Sequence, residues 1–201
     1  MSSLRNTTLR GGPADPGHTG DDALLDAARA SIVAVGWRRS TLTDVARRAG
    51  VSRMTIYRRW PDMETLVADL MTREWSGLAS VPEDGRALER LAQGVASTVT
   101  ALRGNELFHK IVHVDPELLL PYLLERRGRT QDSLLAALET GIVEGQHDGS
   151  VRDGDPALLA RAVLLTAYGF ALSAPTMTDR KRTAAAYDAE LFDLVERYLR
   201  A

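Results

Sequence analysis

Gly50 and Ser52 split the stretch Thr41–Trp60, TLTDVARRAGVSRMTIYRRW, into two short helices joined by a tight turn. Thr41-Leu42-Thr43-Asp44 has capping-box spacing, in which a hydroxyl and a carboxylate satisfy the orphan amides of a helix start. Val45, Ala46 and Ala49 then form a small inward face, suited to close helix–helix approach. Gly50 stands where a left-handed residue ends a helix. Val51 plugs the turn, and Ser52 caps the second helix. In that helix Ile56 and Trp60, four apart, face inward, which leaves Arg53, Met54, Thr55, Tyr57, Arg58 and Arg59 mostly outward. Two short helices, a glycine turn and a cationic outer face predict a helix-turn-helix.

Its charge sets this segment apart. From Arg38 to Trp60 there are seven arginines against Asp44 alone, a net of +6, which leaves −8 for the rest of a chain whose total is −2. A helix corner serving only to fold the chain would normally mix both signs on its outer face. No acid occurs from Ala46 to Pro61, so ion pairing within the segment is expected to be nearly absent. A basic module on an acidic body marks a site for a polyanion, and double-stranded DNA is the partner expected.

The remaining sequence narrows the classes. There is no cysteine, which excludes disulfides, thiolate metal sites and thiol catalysis. Residues 1–19 hold glycine and proline without periodicity and are expected to form a disordered arm, with Arg5 and Arg10 in an inert tail. No apolar run follows those arginines, so no signal peptide is expected and the location predicted is cytoplasmic. The longest apolar stretch, Ala162–Pro175, is too short to span a bilayer, so no membrane partner is expected.

Helical periodicity runs from Asp21 onward, with Leu24, Ala28, Ile32 and Val35 on one stripe and Gly36 at its end. A helix Pro61–Ser80 follows, with Pro61 in its first turn and Leu66, Leu70 and Trp75 on its apolar side. Further helices are expected near Gly85–Leu102, Glu106–Val114, Pro116–Gly145, Pro156–Ala174 and Asp179–Arg200. Pro121 either kinks the third of these or delays its start. No segment alternates at period two. The expectation is an all-α protein: an arm at 1–19, a three-helix DNA-binding domain with the helix-turn-helix at 20–65, and a larger helical domain for effector binding and dimerisation at 66–201.

Thr41–Trp60 together with the following PDMETL resembles the N-terminal domain of the TetR family of transcriptional regulators, over about Asp22 to Leu66. VHVDPELL and EGQHDGSVRDGDPALLARAVLLTAYGF are similar to later segments of that family, more loosely. The resemblance implies a C-terminal dimer bundle and a ligand pocket among the middle helices. It also implies DNA contacts at Thr41 or Thr43, Ser52, Arg53, Thr55 and Tyr57, with the Tyr57 hydroxyl and Arg53 on phosphate. Met54 replaces a frequent glycine, and Met63 a common lysine, so one phosphate contact is expected to be missing. Arg58 and Arg59 stand in place of commoner aromatic or histidine residues. At least one of the two is expected to read guanine bidentately, worth about 1–3 kcal/mol of discrimination, with plain phosphate contact as the alternative.

His109 and His113 lie four apart in HKIVH, near Asp115 and Glu117, a spacing compatible with zinc. Lys110 stands where a metalloprotease would carry its glutamate, and the expectation is a pocket or surface pair with no metal. No phosphate loop, serine elbow or carboxylate cluster is present, so neither an enzyme nor a cofactor is expected. Candidate ligand-binding residues are Met71, Trp75, Val95, Thr98, Leu102, Phe108, His109, His113, Tyr122 and Tyr168, an apolar set that calls for a mainly apolar small-molecule effector. The last two long helices should make a homodimer through Leu164, Tyr168, Tyr187, Leu191, Leu194 and Tyr198. The reading is a homodimeric repressor released from a palindromic operator by its ligand. Its rivals are a ligand-responsive activator and a small-molecule-binding helical protein without specific DNA recognition.

Overall fold

A computed structural model describes residues 20–78 and 82–201; the expected arm at 1–19 lies outside the described residues. Helix α1 (Gly20–Val35) begins with Asp21 and Asp22, whose charge suits a helix N-terminus. It buries Leu24, Leu25, Ala28 and Ile32, whereas Val35, expected on the same stripe, faces out. A single 3₁₀ turn, Trp37–Arg39, leads to α2 (Leu42–Arg48) and α3 (Arg53–Arg59). The turn between them depends on Gly50 at φ +69°, with the Val51 amide donating to the Ala46 carbonyl at 3.0 Å. Helix α4 (Met63–Ser76) starts later than expected. Asp62 is extended and accepts from the Thr65 amide at 2.7 Å, so Pro61 precedes the helix instead of sitting in its first turn.

Beyond α4 come α5 (Ala87–Gly104) and α6 (Glu106–Val114), divided at Asn105, whose side chain accepts from the Phe108 amide at 3.0 Å. The single helix expected from Pro116 to Gly145 is three pieces: a 3₁₀ turn at Pro116–Leu118, α7 (Leu120–Leu124) and α8 (Arg129–His147). Pro121 lacks an amide hydrogen and is confined to the first turn of α7, so the long helix starts only at Arg129. Helix α9 (Pro156–Leu172) ends before Pro175, and the short α10 (Ala174–Met177) follows. Asp179 does not open the last helix. Its carboxylate accepts from the amides of Lys181 and Arg182 in a turn, and Thr183 caps α11 (Ala184–Leu199) instead.

Among the described residues there is no strand, only an isolated bridge between Val151 and Arg200 that ties the C-terminus to the loop after α8. No described helix is long and apolar enough to cross a membrane. The all-α class and the split into a small N-terminal helix-turn-helix unit and a larger helical body are as expected. Helix α4 runs unbroken across 65/66, so one rod belongs to both units.

In the larger part α5 is central and packs against α6, α8, α9 and α11. Leu88, Leu91, Ala92 and Val99 of α5 share a core with Ile142 of α8, Val163 of α9 and Leu191, Val195 and Leu199 of α11. The approach of α8 to the following loop needs a residue without a side chain. A Cβ at Gly145 would lie 2.3 Å from Val151, while one at Gly104 would meet nothing. Gly145→Ala should therefore lower stability by about 1–3 kcal/mol through overpacking. Gly104→Ala should leave it unchanged or raise it by up to about 1 kcal/mol through helix propensity. Urea unfolding of the two variants measures the contrast, and equal midpoints would refute the packing account.

Candidate nucleic-acid interface and effector pocket

The two helix caps take up part of the polar inventory of the helix-turn-helix. The Thr41 hydroxyl accepts from the Asp44 amide at 3.1 Å and donates to the Asp44 carboxylate at 2.6 Å. That bond, with Arg47 beside it, holds the Asp44 carboxyl below the ordinary carboxylate value. Thr41 has no proton left to offer a phosphate, whereas Thr43 has no side-chain hydrogen bond among the described residues. Ser52 caps α3 by accepting from the Thr55 amide at 3.2 Å, and its hydroxyl lies 3.0 Å from that of Thr55. Ile56 and Trp60 are buried, as their spacing requires. Outward stand Met54, 78% exposed, and Tyr57, with the Arg53 guanidinium 5.6 Å from the Tyr57 ring centre.

Ion pairing on this face is greater than the segment alone suggests. Arg47 pairs with Asp44 at 2.6 Å, Arg38 with Glu117 at 2.6 Å, and Arg59 with Asp21 of α1. Two of these acids lie outside the segment, which is why its own sequence did not reveal them. The pairing neutralises three of the seven arginines. Arg39, Arg48, Arg53 and Arg58 have no carboxylate partner among the described residues, and that is where the field for a polyanion remains. Of the two candidate base readers, Arg59 is engaged by α1 and Arg58 is open.

Trp60, next after α3, anchors the recognition helix. Its indole N–H donates to one oxygen of Asp69 on α4 at 2.8 Å, and the other oxygen accepts from Arg129 at the start of α8. A second seam joins the 3₁₀ turn after α1 to the end of α6, where the buried Asp115 carboxylate accepts from the Trp37 amide at 2.8 Å.

Behind the first seam lies a cavity of about 880 Å³, counted out to its mouth. Its walls include Met71 and Trp75 of α4, Thr98 and Leu102 of α5, Phe108 of α6, Tyr122 of α7, Leu134 of α8 and Tyr168 of α9. A second cavity of about 730 Å³, likewise counted out to its mouth and walled by Leu91, Val95 and Val163, adjoins it along Thr98, Leu102, Leu134, Tyr168 and Ala171. The Trp75 ring meets Phe108 edge-on, 6.1 Å between centres at 81°. The Trp75 indole nitrogen and the Tyr168 hydroxyl are both buried without a hydrogen-bond partner. Burial pushes the Tyr168 phenol above its ordinary value, offset in part by the nearby Gln131. The Gln131 amide accepts from the Gly128 amide and donates to the Tyr122 carbonyl at 2.8 Å, which leaves one acceptor site and one N–H that face Tyr168 without closing to hydrogen-bond geometry.

Residues 24–70 match the family model for bacterial regulatory proteins of the tetR family. An uncharacterised HTH-type transcriptional regulator of Mycobacterium tuberculosis is 38% identical over 177 residues, 88% of this chain and 92% of its own. The protein is a member of the TetR family. Two solved structures share the fold at lower identity. Bacillus subtilis FadR, in complex with stearoyl-CoA, has a TM-score of 0.63 at 21% identity, covering 88% of this chain and 98% of its own. The SmeT–triclosan complex has a TM-score of 0.58 at 18% identity, covering 90% and 92%.

In this TetR-family chain, several expected site residues sit elsewhere than their spacing suggested. His109 and His113 stack at 4.2 Å between ring centres but are exposed on the outer face of α6 and do not line either cavity. Asp115 is turned inward to Trp37, and no cluster of three metal-ligating side chains occurs among the described residues. Leu191 is fully buried against α5 and Leu164 faces the second cavity, so neither offers surface to a second chain. Tyr168 belongs to the cavity wall. Tyr187 is half-buried and donates to the Met177 carbonyl at 2.9 Å. Leu194 and Tyr198 do face outward on α11, 48% and 40% exposed. They are joined by two leucines the sequence reading passed over, Leu158 and Leu165 of α9. Their seven-residue spacing, two turns apart on one helical stripe, was the signal available.

Arg58→Ala should relax operator preference at one base pair by about 1–3 kcal/mol, while Tyr57→Phe should weaken binding evenly across sequences. Titration against single-position operator variants separates the two effects. An unchanged base preference in Arg58→Ala would rule out direct readout by that side chain.

Proposed function

We propose that the protein is a homodimeric repressor that leaves a palindromic operator when a small, mainly apolar ligand enters the cavity beside α4. Helix α4 is the single observation that carries this reading. Its first half holds the recognition helix through Asp69 and Trp60, and its second half supplies Met71 and Trp75 to the cavity wall. Asp69 and Trp75 are six residues apart, about 9 Å along the axis. A molecule that displaces Trp75 therefore bears on the rod that sets the attitude of α3.

On DNA, Arg53, Tyr57 and the Thr43 hydroxyl would contact phosphate, and Arg58 a guanine edge, as one α3 per protomer enters each major groove. Ser52 and Thr55 would hold the start of α3, and Met54 would lie against the bases. Two-fold symmetry sets the half-site spacing at about 34–36 Å or a multiple of it. A ligand releases the operator only to the extent that it binds the misaligned dimer more tightly than the aligned one. An apolar effector fits the cavity lining, and neighbours of the same fold are named with stearoyl-CoA and with triclosan. For the dimer, Leu158 and Leu165 of α9 with Leu194 and Tyr198 of α11 form the outward apolar face that a second copy would cover.

Selection of random duplexes at about 150 mM salt, where nonspecific binding is weak, should enrich a palindrome. A folded dimer that enriches nothing would overturn the repressor reading. Leu165→Glu and Leu194→Glu should each sediment as monomers and lose operator binding. Intact dimers in both would place the interface on another face.

A further inference from the structure

The cavity lining specifies the chemistry of its occupant more closely than its apolar character alone. An indole N–H can only donate, so the partnerless Trp75 nitrogen demands an acceptor from whatever fills the space. The Tyr168 hydroxyl, buried and equally without a partner, offers a second polar contact on the facing helix. Thr98 adds no donor, because its hydroxyl already donates to the Gly94 carbonyl at 2.7 Å. Among the described residues of the wall Arg129 is the one formally charged side chain, and its guanidinium pairs with Asp69 at the solvent-exposed rim. An ion drawn into the chamber would meet no free countercharge, and burying it would be costly. The adjoining cavity is walled by Leu91, Val95, Val99, Leu138 and Val163, so the space continues from a first chamber that carries Trp75, Tyr168, Thr130 and Gln131 into an apolar tail.

We infer that the effector is an uncharged, elongated apolar molecule bearing a carbonyl-type oxygen, that the Trp75 indole N–H and the Tyr168 hydroxyl bind its polar end, and that its tail fills the adjoining cavity. Trp75 then both recognises the ligand and reports it, since it lies on the helix that holds Trp60. The inference rests on the cavity being the effector site of the proposed repressor.

Three probes of matched length test it on the full-length protein without DNA: 2-undecanone, decanoate and decylammonium. Calorimetry should give the ketone a Kd at least about tenfold below either ion, because decanoate can accept the same bonds only by burying its charge and decylammonium has no acceptor to offer. In ¹H–¹⁵N spectra the indole resonance that disappears in Trp75→Phe should shift downfield with the ketone. The Trp75→Phe/Tyr168→Phe pair should raise the Kd of the ketone about tenfold while melting within a few degrees of the parent. Equal or tighter binding of either ion, an unmoved Trp75 resonance, or an undiminished ketone affinity in the double variant would overturn the inference. Probe failure beside successful operator selection counts against this inference alone, whereas ketone binding without operator selection counts against the repressor reading alone.

Discussion

The carboxylate of Asp69 is the junction on which this architecture depends. One oxygen takes the indole proton of Trp60 and the other takes Arg129, so three separate chain segments meet at one group. Trp60 is buried at the foot of the recognition helix, where an unpaired indole nitrogen would be a standing penalty. Satisfying it from α4 couples the seating of α3 to α4 itself. The same carboxylate then joins α4 to the first residue of α8, at the rim of the cavity.

That geometry places DNA-facing and ligand-facing functions on one rigid element. A helix transmits displacement along its axis because its backbone hydrogen bonds resist compression, and α4 has no interior proline or glycine to absorb it. The second seam, between Asp115 and the Trp37 amide, holds the other side of the small unit against α6. With two seams, the helix-turn-helix can tilt with the body but cannot drift freely from it. The cavity supplies the opposing property: the Trp75 indole nitrogen and the Tyr168 hydroxyl are buried in a largely apolar wall without a hydrogen-bond partner.

Most of the small unit was legible from local rules. The cap hydroxyls of Thr41 and Ser52, the left-handed Gly50 and the inward pair Ile56 and Trp60 follow from spacing within a few residues and stand as those rules require. The Asp44 carboxylate, however, takes the Thr41 hydroxyl and Arg47 instead of the amide a capping box would give it. Legibility fell where partners are distant in sequence. Arg59 stood level with Arg58 as a candidate for base or phosphate because Asp21, its partner, lies 38 residues away. His109 and His113 read as a pocket or surface pair because i, i+4 spacing gives a shared face without saying which way it points, and the structure turns it outward. Leu191 and Leu194 both belong to apolar stripes of α11, but only packing against α5 decides that the first is core and the second is surface.

The sequence by itself determined the all-α class, the helix-turn-helix and the concentration of positive charge upon it, since these depend on residue type and on spacings of three and four. Tertiary structure alone decided which arginines stay unpaired, which leucines face outward, and that Trp75 and Tyr168 are left without partners in one chamber. Each of those is settled by contacts between helices far apart in the chain, and helical periodicity carries no information about which helices will meet.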